Sequence, residues 1–120
     1  MEPQIEATEF GSITVAGQEL DIDIVIDLDG ALRKRKKKLS KEIYATSHVI
    51  SLDEAKDVYQ KGAERLIIGT GQQDMVRLSP EAEKYFARHD CRVEMLPTGE
   101  AAEAWNQAQG KVIGLFHITC

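Results

Sequence analysis

The sequence has few cysteines, few aromatic residues and no long hydrophobic run. Its 120 residues include two cysteines, three prolines and 6% aromatic residues. Because Cys91 and Cys120 form no closely spaced pair, we expect reduced thiols rather than a disulfide framework. No stretch approaches the roughly 18 apolar residues that a membrane-spanning helix needs. Residues 1–10 are acidic and lack the basic and apolar blocks of a secretion signal. We therefore expect a cytoplasmic protein without membrane association.

Complete catalytic, cofactor and metal motifs are also missing. There is no Gly-x-Ser-x-Gly nucleophile elbow, and no lysine follows a glycine-rich loop as a nucleotide-binding P-loop requires. His89 and Cys91 flank a predicted turn, whereas His117 and Cys120 would point to opposite faces of a predicted strand. Because no second pair has ligand spacing, we expect neither a bound metal nor a cofactor.

The residues that are present fit one folded domain with an uneven charge. With 42% hydrophobic residues, a chain of this length should bury about two-thirds of its unfolded surface. We place a single domain at residues 1–120, with residues 1–9 as a candidate flexible segment. The net charge is -5. Residues 33–41 (RKRKKKLSK) contain 7 of the 15 basic residues and no acidic one, which leaves 8 basic against 20 acidic residues elsewhere.

The N-terminal part predicts β-hairpins. Residues 12–15 and 18–28 flank the turn Ala16-Gly17, and the second segment alternates like a half-buried strand. One predicted face is apolar and would be buried, with Ile22, Ile24, Ile26 and Leu28. The other is acidic and would face solvent, with Asp21, Asp23 and Asp27. Asp29-Gly30 is a strong hairpin signal because both residues tolerate a positive φ. A third strand should therefore follow.

That third strand should carry the basic run. In a helix, Arg33 would face Lys37 at the repulsive i,i+4 spacing. An edge strand instead keeps its lysines in water, where they discourage pairing with other strands. Residues 33–41 are therefore predicted to form an exposed edge strand.

Helices and strands alternate after the hairpins. Residues 43–50 show no clear period and are expected to form a loop. Three predicted helices open at a Ser51 to Glu54 capping box, at a Ser79-Pro80 cap and at a Thr98 cap. Three more strands are predicted at residues 65–69, 92–96 and 112–118. This order predicts an α/β, three-layer single domain with a mixed central β-sheet, N-terminal β-hairpins and about three helices.

The segment Gly69-Thr70-Gly71-Gln72 begins like the phosphate-binding loop of a dinucleotide-binding fold. Asp74 occupies the third glycine position, where its carboxylate would lie near the pyrophosphate. The next helix begins at Pro80, too late for its dipole to act on a ligand. A turn with a positive φ at one or both glycines explains the motif better than nucleotide binding. A looser alternative is that loop amides bind a small anion or a partner's carboxylate.

Residues 24–32 (IVIDLDGAL) resemble the first motif of the haloacid-dehalogenase-like phosphatases, in which a strand ends in Asp-x-Asp-Gly-Thr-Leu. The resemblance implies Asp27 as the nucleophile, Asp29 as the acid/base and a shared magnesium ion. Here Ala31 replaces the threonine, and basic residues follow where a helical flap should begin. We favour a hairpin turn, and keep a small magnesium-dependent phosphohydrolase as the alternative function.

The basic run at residues 33–41 has three candidate interpretations. It is a solvated edge strand, a nucleic-acid site or a protein-docking site. Nucleic acid is the poorer candidate, because no aromatic residue lies among the basic ones and the rest of the chain is acidic. The better partner is a protein with an acidic patch, bound with an affinity that falls steeply with salt. His48, ahead of a predicted helix, is the best single candidate for a functional imidazole.

Taken together, these features resemble a small α/β family of largely uncharacterised proteins. The family includes the adipogenesis-associated domain protein of animals and a mitochondrial assembly factor for respiratory complex I. The resemblance covers roughly residues 10–120. It is carried by Phe10-Gly11, Ile13, Gly17, Asp23 to Ile26, Gly30 to Arg33, His48, Leu66 to Gly71, Leu78 to Pro80, Thr98, Ala101, Asn106 and His117 to Cys120. It implies a three-layer fold, no established enzymatic activity and, for mitochondrial relatives, a role in protein assembly.

The resemblance also marks positions without giving them roles. The chain departs from the family at Asp74, where relatives often have glycine, and in its long basic run. Our leading hypothesis is a non-catalytic binding or assembly module that is a monomer or a homodimer. It would act through the loop at residues 69–72, which we call the glycine loop, through His48 and through the basic run at residues 33–41. The candidate binding residues are His48, Gly69, Thr70, Gly71, Gln72 and Thr98.

Overall fold

The computed structural model describes residues 1–120 and contains ten strands and four helices. None of the helices has the length and apolar character needed to cross a lipid bilayer. In chain order the elements are β1 (Ile5–Glu9), β2 (Ser12–Val15), β3 (Gln18–Leu20), β4 (Ile24–Ile26), β5 (Leu32–Lys34), α1 (Lys38–Tyr44), β6 (Val49–Ile50), α2 (Leu52–Val58), β7 (Arg65–Thr70), β8 (Arg77–Leu78), α3 (Pro80–Arg88), β9 (Arg92–Leu96), α4 (Thr98–Gln107) and β10 (Val112–His117).

The central sheet has five strands in the order β5-β4-β10-β7-β9. β7 pairs in parallel with β10 and β9, whereas β4 pairs antiparallel with β10 and β5, so the predicted mixed sheet is confirmed. All residues of β10 are buried, as expected for an apolar central strand. β1, β2 and β3 form a separate antiparallel sheet, and β6 and β8 form a short parallel pair.

Two hydrophobic cores lie on opposite faces of the central sheet and give the domain its three layers. On one face, α4 and the N-terminal strands cover the sheet, and the Trp105 and Phe116 rings meet edge to face at 6.2 Å. On the other face, α2 and α3 pack together, and Phe86 is buried there. β4 serves both cores, because Ile24 enters the first and Val25 the second. The predicted three-layer α/β fold is confirmed, with α1 as a fourth, unpredicted helix.

The prediction of one strand over residues 18–28 is wrong. The chain forms β3 and β4, which belong to different sheets. Asp23, predicted to face solvent, is 2% exposed, whereas Leu28, predicted to be inside, is 36% exposed. The alternation misleads because Asp23 finds buried partners from distant segments. The hairpin at Asp29-Gly30 is confirmed, since Gly30 has a φ of +85° and β4 pairs with β5.

Residues 33–41 do not form one exposed edge strand. β5 is an edge strand, but it ends at Lys34, and α1 begins at Lys38. The expected helical repulsion is avoided because Arg33 and Lys37 both precede the helix. Arg35, in the connecting loop, is buried with 2% exposure. The loop predicted for residues 43–50 is shorter than expected. α1 extends to Tyr44, and β6 occupies Val49–Ile50.

The predicted helix starts are partly confirmed. Ser79 caps α3 by accepting a hydrogen bond from a first-turn amide, as predicted. Ser51 caps α2 by accepting one from the Glu54 amide at 3.1 Å. The predicted return bond from Glu54 is wrong, because the Ser51 amide donates to Ser40 Oγ instead. The predicted Thr98 cap is also wrong, because α4 has no side-chain cap.

Candidate functional site

Strand ends bring polar residues together at one edge of the central sheet. β7 and β10 end at Thr70 and His117, which lie opposite each other in the parallel ladder. β4 runs antiparallel to β10, so Asp23, just before β4, lies at the same edge. Ligand sites of open α/β sheets are usually found at the carboxyl ends of parallel strands. Six residues of this edge, each with an exposure of 2% or less, form what we call the polar cluster: Asp23, Arg35, Ser40, Ser51, Glu54 and His117.

Arg35 is the central cation of the polar cluster. Its Nη1 lies 3.0 Å from Asp23 Oδ2, and its Nε lies 2.5 Å from Glu54 Oε2. Its Nη2 also donates to the Ser47 carbonyl at 2.6 Å. Burial acts to lower the pKa of Arg35, but hydrogen bonds and charges from Glu54 and Asp23 outweigh it, so this pKa is raised. The planar guanidinium thus binds two buried carboxylates through separate nitrogens in a fixed geometry, which the single ammonium of a lysine does not provide.

Asp23 connects Arg35 to the end of β10. Its carboxylate accepts hydrogen bonds from the Ile118 amide at 2.9 Å and faces His117 Nδ1 at 2.7 Å. The Lys37 ammonium lies 3.5 Å away. Burial acts to raise the pKa of Asp23, but the bond with His117, the Ile118 amide and nearby positive charge lower it to about 2. Asp23 is therefore ionised in the folded protein at neutral pH.

Acid should destabilise the protein partly through Asp23. Its folded pKa of about 2 lies below the usual 3.8, so its stabilising effect is complete above the unfolded value and is lost as pH falls toward 2. This shift corresponds to about 2 kcal/mol in the free energy of unfolding. Urea unfolding between about pH 5 and about pH 2 should show that loss, and Asp23→Asn should flatten the profile by this amount. Parallel pH profiles for the two proteins would contradict this role.

Glu54 carries the other buried negative charge. Besides Arg35, it accepts a short hydrogen bond from the Ser40 hydroxyl, and Ser51 donates its own hydroxyl to the Leu39 carbonyl at 2.9 Å. No buried side-chain nitrogen or oxygen of the protein lacks a hydrogen-bond partner. The polar atoms of the cluster thus bond to one another and to neighbouring backbone groups. This arrangement joins α1, α2, β4 and β10 and leaves no buried side-chain nitrogen or oxygen of the cluster without a partner.

Backbone amides of the glycine loop are already hydrogen-bonded within the protein. The Gly71 amide donates to Thr98 Oγ1 at 2.8 Å, the Gln72 amide to the Thr119 carbonyl at 2.7 Å, and the Met75 amide to the Thr70 carbonyl at 3.0 Å. These donors are therefore not free to hold a phosphate. Gly71 has a φ of +100°, as the turn interpretation expected.

Neighbouring side chains explain the glycines and the aspartate of this loop. A Cβ at Gly69 would lie 2.9 Å from Phe116 Cδ1 and 3.0 Å from Thr98 Oγ1, so close packing requires glycine there. Asp74 has a φ of +57°, a conformation that glycine adopts freely and that aspartate tolerates. Thr70 Oγ1 donates to Asp74 Oδ1 at 2.6 Å, and this bond lowers the pKa of Asp74. Asp74 thus closes the loop without glycine.

His48 and Thr98 both lie against residues 117–120, next to this loop. His48 is half-buried, with Nε2 3.7 Å from Cys120 Sγ and its ring 5.4 Å from the His117 ring. Burial first, and then the positive potential of His117 and Arg35, lower the pKa of His48. The Thr98 hydroxyl is buried and donates to the His117 carbonyl at 2.6 Å. His48 and the glycine loop thus meet through residues 117–120.

Asp27 and Asp29 lie at the β4–β5 hairpin, where other groups already bind them. Asp27 forms an ion pair with Arg33 Nε at 3.0 Å, and Arg33 also pairs with Asp57 at 2.7 Å. Asp29 Oδ1 accepts a hydrogen bond from the Ala31 amide at 2.9 Å. No three His, Cys, Asp or Glu side chains of the chain converge as metal ligands. Asp27 and Asp29 are therefore each bonded to groups of the protein in or near this hairpin.

The comparison with protein families identifies the group to which this fold belongs. A family described as "Protein of unknown function (DUF498/DUF598)" matches residues 5–117. The chain belongs to the DUF498/DUF598 family. The family includes the adipogenesis-associated domain protein and a mitochondrial complex I assembly factor, so the resemblance proposed from the sequence is confirmed.

Solved structures agree with the DUF498/DUF598 assignment. The conserved hypothetical protein PH1505 from Pyrococcus horikoshii OT3 is 32% identical, over 98% of this chain and 99% of that chain, with a TM-score of 0.91. The protein MT938 is also 32% identical, over 98% of each chain, with a TM-score of 0.81. A Bordetella parapertussis protein shares the fold at 20% identity, over 94% of this chain and 92% of that chain, with a TM-score of 0.74.

In this DUF498/DUF598 protein, sequence reasoning missed the polar cluster. Asp23 was placed on a solvent face, Glu54 in a capping box and Arg35 among exposed lysines. One available signal was the arginine itself, since arginine is preferred over lysine where a buried cation must pair with carboxylates. A second was the acid in the apolar run IDIVI. The partners could not be found from the sequence because 19 residues separate Arg35 from Glu54.

Proposed function

We propose that this DUF498/DUF598 protein is a non-catalytic binding module that docks an acidic protein surface on residues 34–41, which we call the basic segment. One observation carries the proposal. Lys34, Lys38 and Lys41 lie close together in a segment without any acidic residue, and they take part in none of the ion pairs of the structure. Their exposed ammonium groups are thus available to an external acidic partner.

The basic segment is held in place before any partner arrives. Arg35 anchors it to the polar cluster, while Lys36 pairs with Asp57 at 3.2 Å. β5 fixes one end of the segment in the central sheet, and α1 fixes the other. A surface that is already ordered loses less conformational entropy on binding, which favours affinity. His48 follows Ser47, whose carbonyl accepts a hydrogen bond from Arg35, so it lies next to the same segment.

The polar cluster and the hairpin acids support binding rather than catalysis. The cluster satisfies its own polar atoms, and the carboxylate of Asp27 is paired with Arg33. The basic segment contains no aromatic side chain on which a nucleotide base could stack. Charge complementarity with an acidic protein surface needs neither a catalytic group nor a stacking platform.

Reversing the three free lysines tests the proposal. A fluorescent poly-glutamate peptide serves as the acidic probe, and anisotropy measures its binding. The wild-type protein should bind it at low salt, with at least about a tenfold loss of affinity between about 0.05 M and about 0.3 M salt. The variant Lys34→Glu/Lys38→Glu/Lys41→Glu should bind at least about tenfold more weakly than wild type.

A matched variant separates a docking surface from net charge. Lys56→Glu/Lys61→Glu/Lys84→Glu changes the total charge equally, and its three lysines are also exposed and unpaired. Its affinity should stay within about threefold of wild type. Equal losses in the two triple variants would refute a localised surface. Tighter binding to duplex DNA than to poly-glutamate would favour a nucleic-acid partner instead.

A further inference from the structure

The outer edge of β9 lies on the opposite side of the central sheet from β5. The Arg92 amide donates to the Glu64 carbonyl at 3.0 Å, which fixes the residues of β9 whose backbone groups face β7. In a parallel ladder these are alternate residues. Val93 and Met95 therefore direct their backbone N–H and C=O groups away from the sheet. Unpaired groups of this kind are a template for another strand.

The two edges of the sheet are protected very differently. β5 carries Arg33 and Lys34, and charged side chains discourage pairing at an edge. β9 (RVEML) contains no lysine and no proline, and its register with β7 has no bulge. The charged residues of β9, Arg92 and Glu94, have opposite signs, so the β9 edge lacks the like-charged side chains that protect β5.

Apolar surface accompanies this open edge. A groove of about 650 Å³ lies beside β9 and is lined in part by Phe86, Val93 and Met95. Val93 and Met95 remain partly exposed, whereas Leu66 and Ile68, their neighbours in β7, are fully buried. The apolar face of the sheet thus continues to its edge without being fully covered.

We propose that a second copy of this chain covers the edge, with the two β9 strands antiparallel about a twofold axis. The side chains of β9 select one register. With Val93 opposite Val93 of the second copy, Arg92 lies opposite Glu94 of the second copy, and symmetry makes this contact twice. The alternative register centred on Glu94 would bring two carboxylates together, which is repulsive.

The same strand supplies both halves of this contact, which favours a second copy over an unrelated peptide. In the chosen register, the apolar face of each β9 meets an apolar face, and the charged face meets its complement. Arg65 adds to the charged face, since its Nε donates to Glu94 at 3.0 Å. Because β5 is the far edge of the sheet, the dimer would carry two basic segments at its outer ends. Such a dimer could bind a bivalent acidic partner with increased avidity.

Charge reversal and charge exchange at β9 test this dimer. Sedimentation velocity from about 1 µM to about 1 mM should show the wild-type chain passing from monomer to dimer. Arg92→Glu faces Glu94 of the second copy with a like charge and should weaken dimerisation at least about tenfold. The exchange Arg92→Glu/Glu94→Arg should restore it to within about threefold of wild type. Arg65 keeps an acidic neighbour in the exchanged chain, because it lies opposite residue 92 in the β7–β9 ladder.

Two further measurements make the result specific to this edge. Lys34→Glu, a charge reversal on the other edge strand, should leave dimerisation unchanged. Amide hydrogen exchange of Val93 and Met95 should slow as the protein concentration rises. A chain that stays monomeric over the whole range would overturn the proposal. A dimer that is insensitive to Arg92→Glu would also overturn it, as would amide protection that appears only when an added extended peptide binds.

Discussion

Replacing Arg35 by methionine should lower the free energy of unfolding by about 3 to 5 kcal/mol. The substitution removes the only arginine of the polar cluster and leaves Asp23 and Glu54, both 2% exposed or less, without their main counter-charge. Buried carboxylates that lose their partner suffer the full desolvation penalty, which is the reason for so large an effect. Urea unfolding followed by circular dichroism near neutral pH would measure it.

Arg33→Met provides the matched control for this experiment. Arg33 also pairs with two carboxylates, but its side chain is 28% exposed, so its loss should cost about 1 kcal/mol or less. The double variant Arg35→Met/Glu54→Met should be more stable than Arg35→Met alone, because one of the unpaired charges is removed. Equal costs for Arg33→Met and Arg35→Met would show that the buried cluster is not the main electrostatic anchor.

Gly71→Ala should cost about 2 to 4 kcal/mol of unfolding free energy, from backbone strain and overpacking together. Gly71 has a φ of +100°, and an added Cβ would overlap the carbonyl group of Cys120 and lie 2.9 Å from His117 Cδ2. To make room, residues 119–120 would have to move and break the hydrogen bond that the Gln72 amide donates to the Thr119 carbonyl. Thermal and urea unfolding would measure the loss.

Gly62→Ala separates the two causes of that loss. Gly62 has nearly the same backbone conformation, with a φ of +96°, but nothing lies within 4 Å of an added Cβ. Its substitution should therefore cost only the strain of the left-handed region, about 1 kcal/mol. If the Gly71 variant were no less stable than the Gly62 variant, the close packing of the glycine loop would not contribute to stability.

These two predictions treat Arg35 and the glycine loop as parts of the scaffold. Arg35 and the glycine loop hold together the elements that surround the carboxyl ends of β7 and β10. The surfaces that we propose for partners are different ones, namely the lysines of the basic segment and the β9 edge. Substitutions that lower stability and substitutions that weaken binding should therefore fall on different residues. Lys34→Glu, for example, should change binding to an acidic probe with little effect on unfolding.

Much of the fold could be predicted because its signals are local. The Asp29-Gly30 turn requires a positive φ, Ser79-Pro80 combines a cap with a proline at the first helical position, and the run at residues 112–116 is apolar throughout. Each of these features acts within a few residues. All three were confirmed by the structure. α1 was missed because it has no side-chain N-cap and its one buried residue is Ser40, so its sequence shows neither a cap nor an apolar face.

The polar cluster could not be predicted because its signals are long-range. Asp23 meets His117, 94 residues away, and that contact reverses the expected orientation of a whole strand face. Thr98 likewise had a plausible local role as a cap, yet its hydroxyl joins Gly71 to the β10 end. Local propensity cannot reveal such partners, since each residue is equally acceptable in a turn or at a helix start.

The most direct test of a binding surface on the basic segment is a titration of the ¹⁵N-labelled protein with poly-glutamate, followed by ¹H–¹⁵N correlation spectra. We predict that the largest amide shifts fall on residues 34–41, with smaller ones at His48, and that salt abolishes them. Shifts that are largest in the loop at residues 69–72, or that spread evenly over all lysine-bearing surfaces, would contradict this account.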